Sequence, residues 1–161
     1  MMTNTSKTAP ASTTAQAMKT ARGSRTALVT GASSGIGRDL ADEFARNGVN
    51  LVVAARGALA LADLKTAWEA HGVQVTTVVT DLSMPGAAQE LANELDRRGI
   101  EIDFLVNNAG VGHFGLFAES PLDAELAMMR LNMDSLIVLT KRLLPGIQAR
   151  SGKILNVAST A

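Results

Sequence analysis

From Arg25 onward, short runs of aliphatic and β-branched residues alternate with longer segments in which apolar residues recur at helical spacing, as in Ile36, Leu40 and Phe44. The short runs predict strands at Thr26–Thr30, Asn50–Ala55, Gln74–Val79, Asp103–Asn107 and Lys153–Val157. Strands that are apolar on both faces and alternate with helices are typical of a parallel sheet covered by helices on each side. The pattern therefore predicts an α/β fold with a doubly wound parallel sheet.

Serine and proline mark two predicted helix starts. Ser83 with Pro85, and Ser120 with Pro121, each combine a side chain that can cap a helix with a proline in its first turn. Further along, Pro145 falls inside a long segment of helical spacing, and we expect it to kink or end that helix.

Residues 1–24 differ in composition from the rest of the chain. They are rich in Ser, Thr and Ala, contain the basic residues Lys7, Lys19 and Arg22, and have no acidic residue. Such a segment buries too little apolar surface to order itself, which favours a disordered tail. An organelle-targeting peptide has a similar composition and stays the alternative. We therefore expect two regions, a basic tail at 1–24 and a folded domain at 25–161.

Composition narrows the possible function classes. Lys and Arg together number 15, as do Asp and Glu, so the net charge gives no field that would attract nucleic acid or an anionic membrane. There is no cysteine and there are two histidines, which argues against disulfides, thiolate chemistry and a zinc site. No apolar run reaches the roughly 20 residues that a membrane span needs. We expect a cytoplasmic protein that binds no metal, nucleic acid or membrane.

A glycine-rich segment joins the first predicted strand to the first predicted helix, with the sequence Thr30-Gly31-Ala32-Ser33-Ser34-Gly35-Ile36-Gly37. Gly31 permits a tight turn, Gly35 lets phosphates approach the backbone, and Gly37 lets the helix pack closely. The N–H groups of the helix's first turn and its dipole would face the anion, and the serine hydroxyls add donors. The pattern predicts a dinucleotide pyrophosphate site formed by Gly31, Ser33, Ser34, Gly35, Ile36 and Gly37. A tight turn without a ligand is the alternative.

The segment from Thr30 to Gly37 resembles the TGxxxGxG signature of the short-chain dehydrogenase/reductase family, and three further motifs follow in the family's order. These are Asp81-Leu82 after the third predicted strand, Asn107-Asn108-Ala109-Gly110 after the fourth, and Ser159 at the end of the fifth. The resemblance extends over residues 25–161 and implies a Rossmann-type domain. It also implies that Asp81 and Leu82 lie near the adenine ring, and that Asn108, Ala109 and Gly110 belong to the cofactor site.

The family's sheet has the strand order 3-2-1-4-5-6-7, so the resemblance implies that this chain has strands 1 to 5 only and lacks the C-terminal strands and helices. Lys153–Val157 would then be an apolar edge strand, which tends to pair with other chains. Part of the sheet would also lose the helices that cover it and expose an apolar patch. We expect the polypeptide by itself to be marginally stable or prone to aggregation.

The second predicted strand ends in Ala54-Ala55 and is followed by Arg56. In such folds an acidic side chain at this position binds the ribose hydroxyls and selects NAD. A carboxylate would repel the 2′-phosphate of NADP, whereas a guanidinium can pair with it through two hydrogen bonds. Arg56 without an acid therefore favours NADP (NADPH) over NAD. A solvated arginine at a strand end is the alternative.

The resemblance also implies a reaction, hydride transfer between nicotinamide and a small carbonyl or alcohol substrate. Family members use a tyrosine to exchange the proton, a lysine to lower the pKa of that tyrosine, a serine to hydrogen-bond the substrate oxygen and a helical asparagine to anchor a water. Ser159 and Asn132 match the serine and the asparagine, but the chain contains no tyrosine and ends at Ala161. We expect a chain that stops before the catalytic pair and is inactive by itself.

Other functions stay open. A non-catalytic nucleotide-binding or interaction protein would keep the cofactor fold without the chemistry, and a family member turned to epimerase or dehydratase work would use the same cofactor domain. By analogy with the dimers and tetramers of the family, we expect the full-length protein to be a homo-oligomer.

Overall fold

The computed structural model describes residues 25–159, so the tail predicted at 1–24 lies outside the described residues. The elements are, in chain order, β1 (Thr26–Thr30), α1 (Gly35–Arg46), β2 (Asn50–Ala55), α2 (Ala58–Glu69), β3 (Val75–Val79), α3 (Ala87–Arg98), β4 (Phe104–Asn107), a 3-10 turn (Phe117–Glu119), α4 (Leu122–Met129), a π-helical turn (Arg130–Asp134), α5 (Ser135–Ala149) and β5 (Lys153–Asn156). All five predicted strands are present, and their ends differ from the prediction by at most one residue.

The five strands form one parallel sheet in the order β3-β2-β1-β4-β5. This order confirms the predicted α/β fold of Rossmann type. The strand order reverses direction at β1, where β2 lies on one side and β4 on the other. In open parallel sheets, ligands bind at such a switch point, beyond the carboxyl ends of the strands. The fold therefore predicts a ligand site among the loops that follow β1, β2 and β4.

Successive side chains of each strand pack against helices on opposite faces of the sheet. On one face, Val29 and Val53 pack with α1 and α2, and Trp68 of α2 is fully buried there. On the other face, Leu28 and Leu105 pack with α3 and α5. Because both faces are covered, the middle residues of the inner strands are apolar, which explains the apolar runs in the sequence.

The predicted serine caps are wrong. α3 begins directly after Gly86, which adopts a left-handed backbone with φ 76°. Ser83 lies in the preceding turn, where its hydroxyl donates to Asp81 Oδ1 at 2.6 Å. Ser120 does not cap α4 either, because its hydroxyl donates back to the Phe117 carbonyl in the 3-10 turn. Both hydroxyls find acceptors on the N-terminal side, within the loops, before the helices begin.

The helical region around Pro145 differs from the single long helix that the sequence predicts. α4 and α5 are joined by the π-helical turn Arg130–Asp134, and α5 continues beyond Pro145 to Ala149. Of the two predicted effects of this proline, an end of the helix is therefore wrong, and a kink stays a prediction. α5 packs against α3 and buries Leu139 and Ile147 in the core. We infer that this packing stabilises the helix enough to tolerate the backbone hydrogen bond that proline removes.

Two negative findings concern residues 25–159. None of the helices in this range is long and apolar enough to span a bilayer. No group of three or more His, Asp or Glu side chains in it is arranged to hold a metal ion.

β5 lies at one edge of the described sheet and pairs only with β4. Ile154 packs against the layer formed by α3 and α5, whereas the next side chain, Leu155, is 45% exposed. Strand side chains alternate between faces, so Leu155 lies on the face that α1 and α2 cover over the inner strands. Its exposure shows that these helices do not extend over β5.

Because this edge carries unpaired backbone groups next to an exposed leucine, we predict that the 161-residue polypeptide self-associates. Leu155→Lys should weaken the association by roughly tenfold, since one leucine contributes about 1.5 kcal/mol or more when buried at a contact. The matched control is Leu59→Lys, because Leu59 is an exposed leucine on α2, away from the edge. Sedimentation equilibrium measures both variants. A cooperative melt with monomeric sedimentation of the unaltered chain would contradict the prediction.

Candidate functional site

An open cleft of about 810 Å3 lies at the carboxyl edge of the sheet, beyond β1, β2 and β4. The structure brings most of the predicted cofactor residues together as its lining, namely Gly31, Ser33, Ser34, Arg56, Asp81, Leu82, Asn108, Ala109 and Gly110. Gly35, Ile36 and Gly37 form the adjoining first turn of α1. Neither Asn132 nor Ser159 is among the residues that line the cleft. The predicted dinucleotide residues therefore converge, and the two predicted catalytic residues lie outside this cavity.

The three glycines of the loop after β1 are required for different reasons. Gly31 has φ 68°, and a Cβ there would lie 2.9 Å from Ala109 Cα. A Cβ on Gly37 would overlap the side-chain amide of Asn108 and lie 2.5 Å from the Gly31 carbonyl oxygen. Gly35 has φ 54°, and no protein atom lies within 4 Å of the Cβ position. Gly31 and Gly37 thus let the loop close on itself, whereas the space beside Gly35 is open.

The N-terminus of α1 presents donors beside this open space. Ser34 is the N-cap residue, with an extended backbone, and its side chain makes no capping hydrogen bond. The first bond of the helix runs from the Arg38 N–H to the Ser34 carbonyl, so the N–H groups of the first turn have no partner within the helix. No acidic side chain lies in this turn to neutralise the positive end of the helix dipole. This arrangement is typical of a phosphate site.

A buried hydroxyl connects this loop to the loop after β4. Thr30, 2% exposed, donates from Oγ1 to the Val106 carbonyl at 3.2 Å and accepts from the N–H groups of Asn108 and Ala109, both at 3.0 Å. In return, Asn108 Nδ2 donates to the Thr30 carbonyl at 2.9 Å. These bonds fix the two loops to each other. Thr30 is not among the site residues predicted from the sequence, although a polar residue at the end of an apolar strand indicates a hydroxyl that needs a hydrogen-bond partner.

The turn after β3 holds an acidic group in the cleft. Asp81 Oδ1 accepts from the Ser83 hydroxyl at 2.6 Å and from the Ser83 N–H at 3.0 Å. These hydrogen bonds, with a smaller contribution from the positive charge of Arg56, hold the pKa of the Asp81 carboxyl below its usual value, although partial desolvation opposes them. Asp81 is therefore ionised and oriented by its own turn.

Asn132 lies in the π-helical turn between α4 and α5 and not within a regular helix. Its Nδ2 donates to the Val111 carbonyl at 2.8 Å, and its Oδ1 accepts from the Val111 N–H at 3.0 Å. The side chain thereby fixes the loop that continues from Gly110, one of the cleft residues. π-Helical turns occur often at functional sites. The catalytic role expected for Asn132 stays a prediction, whereas its contact with the cleft loop is a feature of the structure.

Ser159 lies three residues beyond β5 and is exposed. The ends of β4 and β5 beneath it are joined by Asn107, whose Nδ2 donates to Asn156 Oδ1 at 2.9 Å and to Thr140 Oγ1 at 3.2 Å. The Val157 N–H continues the pairing by donating to the Asn107 carbonyl. The segment that leads to Ser159 is therefore fixed to the carboxyl edge of the sheet, on the same side as the cleft. The sequence predicts Asn107 only as part of the motif after the fourth strand and not as the link between β4 and β5.

The chain belongs to the short chain dehydrogenase family, whose sequence model matches residues 25–161. Among curated relatives, dehydrogenase/reductase SDR family member 7B from Bos taurus is 37% identical over 139 residues, which cover 82% of this chain and 43% of the relative. D-beta-hydroxybutyrate dehydrogenase from Cupriavidus necator is 33% identical over 137 residues, covering 84% and 53% respectively. The chain thus spans about half the length of the curated relatives it matches.

Solved structures of related enzymes show the same fold. L-sorbose reductase from Gluconobacter frateurii, complexed with NADPH and L-sorbose, matches with a TM-score of 0.78 and 30% identity over 85% of this chain and 53% of the reductase chain. A short-chain dehydrogenase from Sphingobium yanoikuyae in complex with NADPH also gives a TM-score of 0.78, with 34% identity over 84% of this chain and 54% of that chain. Both similar structures hold NADPH.

The close packing around Gly37 predicts the cost of adding one methyl group there. Gly37→Ala should lower the free energy of unfolding by about 1–3 kcal/mol, because the new Cβ forces the loop or Asn108 to move. Gly57→Ala is the matched control, since its Cβ would meet only Ala60 Cβ, at an ordinary 3.6 Å. Urea unfolding measures both variants. Equal losses in the two variants would contradict the assignment.

The hydrogen bonds to Asp81 predict a pH-dependent contribution to stability. The pKa of Asp81 in the folded chain lies below the usual carboxyl value of 3.8, so the stabilisation is present above that value and is lost as pH falls through the folded-state pKa. Asp81→Asn should therefore destabilise the chain at neutral pH, and the difference should vanish in strong acid. Ser83→Ala removes the largest cause of the shift and should raise the Asp81 pKa. Urea unfolding over an acid pH series tests this, and a difference that persists unchanged in acid would contradict it.

Proposed function

We propose that this chain is the NADP-binding part of an oxidoreductase that transfers hydride between the nicotinamide and a small carbonyl or alcohol substrate. The observation that carries the proposal is the position of Arg56. It follows β2 at the carboxyl edge of the sheet and lines the same cleft as the loop after β1, and no acidic residue ends that strand. The helix N-terminus matches the pyrophosphate that NAD and NADP share, and the nearby guanidinium of Arg56 matches the 2′-phosphate that distinguishes NADP.

The shape of the cleft fits a dinucleotide. The open space beside Gly35 lets a pyrophosphate approach the N–H groups of α1, which a side chain at that position would obstruct. Arg56 is exposed, so its guanidinium can reach a 2′-phosphate without breaking a buried interaction. The NADPH complexes of the L-sorbose reductase and of the Sphingobium dehydrogenase support the same choice of cofactor.

The residues divide the work of binding and catalysis. The loop after β1 holds the pyrophosphate, Arg56 holds the 2′-phosphate, and Asp81 with Leu82 forms the wall beside the adenosine. When bound, the nicotinamide supplies or accepts the hydride. Ser159 donates a hydrogen bond to the substrate oxygen, and Asn132 holds the loop at Val111.

The proton transfer cannot be assigned to a phenol of this chain, because the 161 residues contain no tyrosine. We therefore propose that the polypeptide binds NADPH but does not turn over substrate by itself. Assembly into homo-oligomers and a cytoplasmic location stay predictions.

A second candidate is a non-catalytic protein that binds the dinucleotide as a ligand in the same cleft. The two candidates differ in one measurement. The protein as its cell makes it should oxidise NADPH in the presence of small ketones or aldehydes under the first proposal, and Ser159→Ala should abolish that turnover. NADPH binding without oxidation would support the second.

The choice of cofactor is tested by substituting Arg56. Arg56→Gln should weaken NADPH binding roughly 10- to 100-fold, the range for losing two hydrogen bonds to a charged group, and should leave NADH binding unchanged. Arg56→Asp should reverse the preference. Quenching of intrinsic fluorescence or calorimetry measures the dissociation constants.

The matched control is Arg46→Gln, because Arg46 is also an exposed arginine but pairs with Asp42 at the far end of α1. It should not alter NADPH affinity. Equal affinity of the unaltered chain for NADH and NADPH would overturn the assignment of Arg56.

A further inference from the structure

The turn Asp81-Leu82-Ser83 separates two cavities. One is the cleft described above, which this turn lines together with Arg56. The other, of about 320 Å3, lies behind the turn between α3 and α5, and its lining includes Leu82, Met84 and Arg130. Arg130 is not among the residues that line the cleft. Leu82 lines both cavities, and this turn is therefore the wall between the proposed adenosine site and the cavity that Arg130 lines.

Arg130 supports this wall through one hydrogen bond. Its Nε donates to the Ser83 carbonyl at 2.8 Å, across a sequence separation of 47 residues. The N–H and the hydroxyl of the same serine donate to Asp81. Arg130 thus holds the carbonyl of Ser83, and the N–H and hydroxyl of Ser83 hold the Asp81 carboxylate at the cleft. By fixing the Ser83 carbonyl, the guanidinium of Arg130 therefore also fixes the orientation of the Asp81 carboxylate.

Arg130 also lies on the turn that holds the opposite wall. It is the first residue of the π-helical turn, whose third residue, Asn132, clamps the backbone of Val111. Side chains two positions apart on a helix leave it in different directions, so one turn can reach both walls. Leu131, between them, lines the cleft itself. The π-helical turn thereby connects the wall at Asp81 with the wall at Val111.

We propose that Arg130 is a positioning residue for the dinucleotide, and that it acts through Ser83 to hold the adenosine side of the cleft in its binding shape. The inference rests on the proposed NADP function. Arg130 does not contact the ligand. Its removal lets the turn after β3 move, so that Asp81 and Leu82 no longer form a fixed wall, while the pyrophosphate loop, held by Thr30 and Asn108, keeps its structure.

The experiment compares two halves of the ligand. Arg130→Met keeps most of the apolar stem and removes the donor, and it should weaken binding of NADPH and of adenosine 2′,5′-bisphosphate by the same factor, roughly tenfold, as expected for one hydrogen bond from a charged donor. Binding of nicotinamide mononucleotide should not change. Arg130→Lys keeps the charge but not the planar Nε donor, so it should fold as the unaltered chain does and show a loss in the same direction.

The matched control is Arg142→Met. Arg142 lies on α5 and, like Arg130, makes long-range hydrogen bonds, which run to Asn93 Oδ1 at 3.1 Å and Asp96 Oδ2 at 2.7 Å on α3. It should lower stability without changing affinity for the bisphosphate. A carboxyl NMR titration gives an independent readout, because freeing Ser83 should raise the pKa of Asp81 in Arg130→Met and not in Arg142→Met.

The outcomes separate the inference from the proposed function. If the unaltered chain binds neither NADPH nor the bisphosphate, the proposed function fails. If it binds both, and Arg130→Met leaves bisphosphate affinity unchanged or matches Arg142→Met in every measurement, the positioning role of Arg130 is wrong. If Arg130→Met loses affinity for the bisphosphate but not for nicotinamide mononucleotide, and its Asp81 pKa is raised, the positioning role of Arg130 is supported.

Discussion

The hydroxyl of Thr30 is the contact on which the cleft depends. It is buried at the end of β1 and satisfies a carbonyl of β4 and two N–H groups of the following loop at once. A buried hydroxyl costs free energy unless it is hydrogen-bonded, and the loop N–H groups would pay a similar cost without it. The loops after β1 and β4 are therefore held in one arrangement, with Gly31 and Gly37 allowing Asn108 to approach their backbone.

The rest of the cleft is held from the other direction, by the π-helical turn between α4 and α5. This turn reaches the loop after β4 through Asn132 and the turn after β3 through Arg130. The loops that line the cleft thus have two supports, the sheet below and a helical turn at the side. A binding site with its loops fixed before the ligand arrives loses less conformational entropy on binding. The extra residue of the π turn interrupts the regular hydrogen bonding of the helix, which is a cost that the two contacts offset.

The sequence was sufficient for the fold and for most of the predicted cofactor residues that line the cleft, whereas Asn132 and Ser159 lie outside it. Apolar runs placed all five strands to within a residue. For β1, β2 and β4 the reason is burial on both faces of the sheet, which favours apolar side chains. Local signals were less reliable at the helix ends. Ser83 and Ser120 had the right side chains for caps, but their hydroxyls found acceptors in the loops before the helices. Pro145 lies inside α5, because packing against α3 outweighs a local preference.

What the sequence by itself determined is the alternation of strands and helices, the glycine pattern of the loop after β1, the charge of Arg56 at the end of β2, and the absence of a tyrosine. Each of these follows from local geometry or from composition. The tertiary structure alone decided which distant groups meet, such as Thr30 with Asn108, Asn132 with Val111, and Arg130 with Ser83. These pairs are 21 to 78 residues apart, and only the packing of the helices on the sheet brings such polar groups into contact, since no local pattern encodes the partner of a buried hydrogen bond.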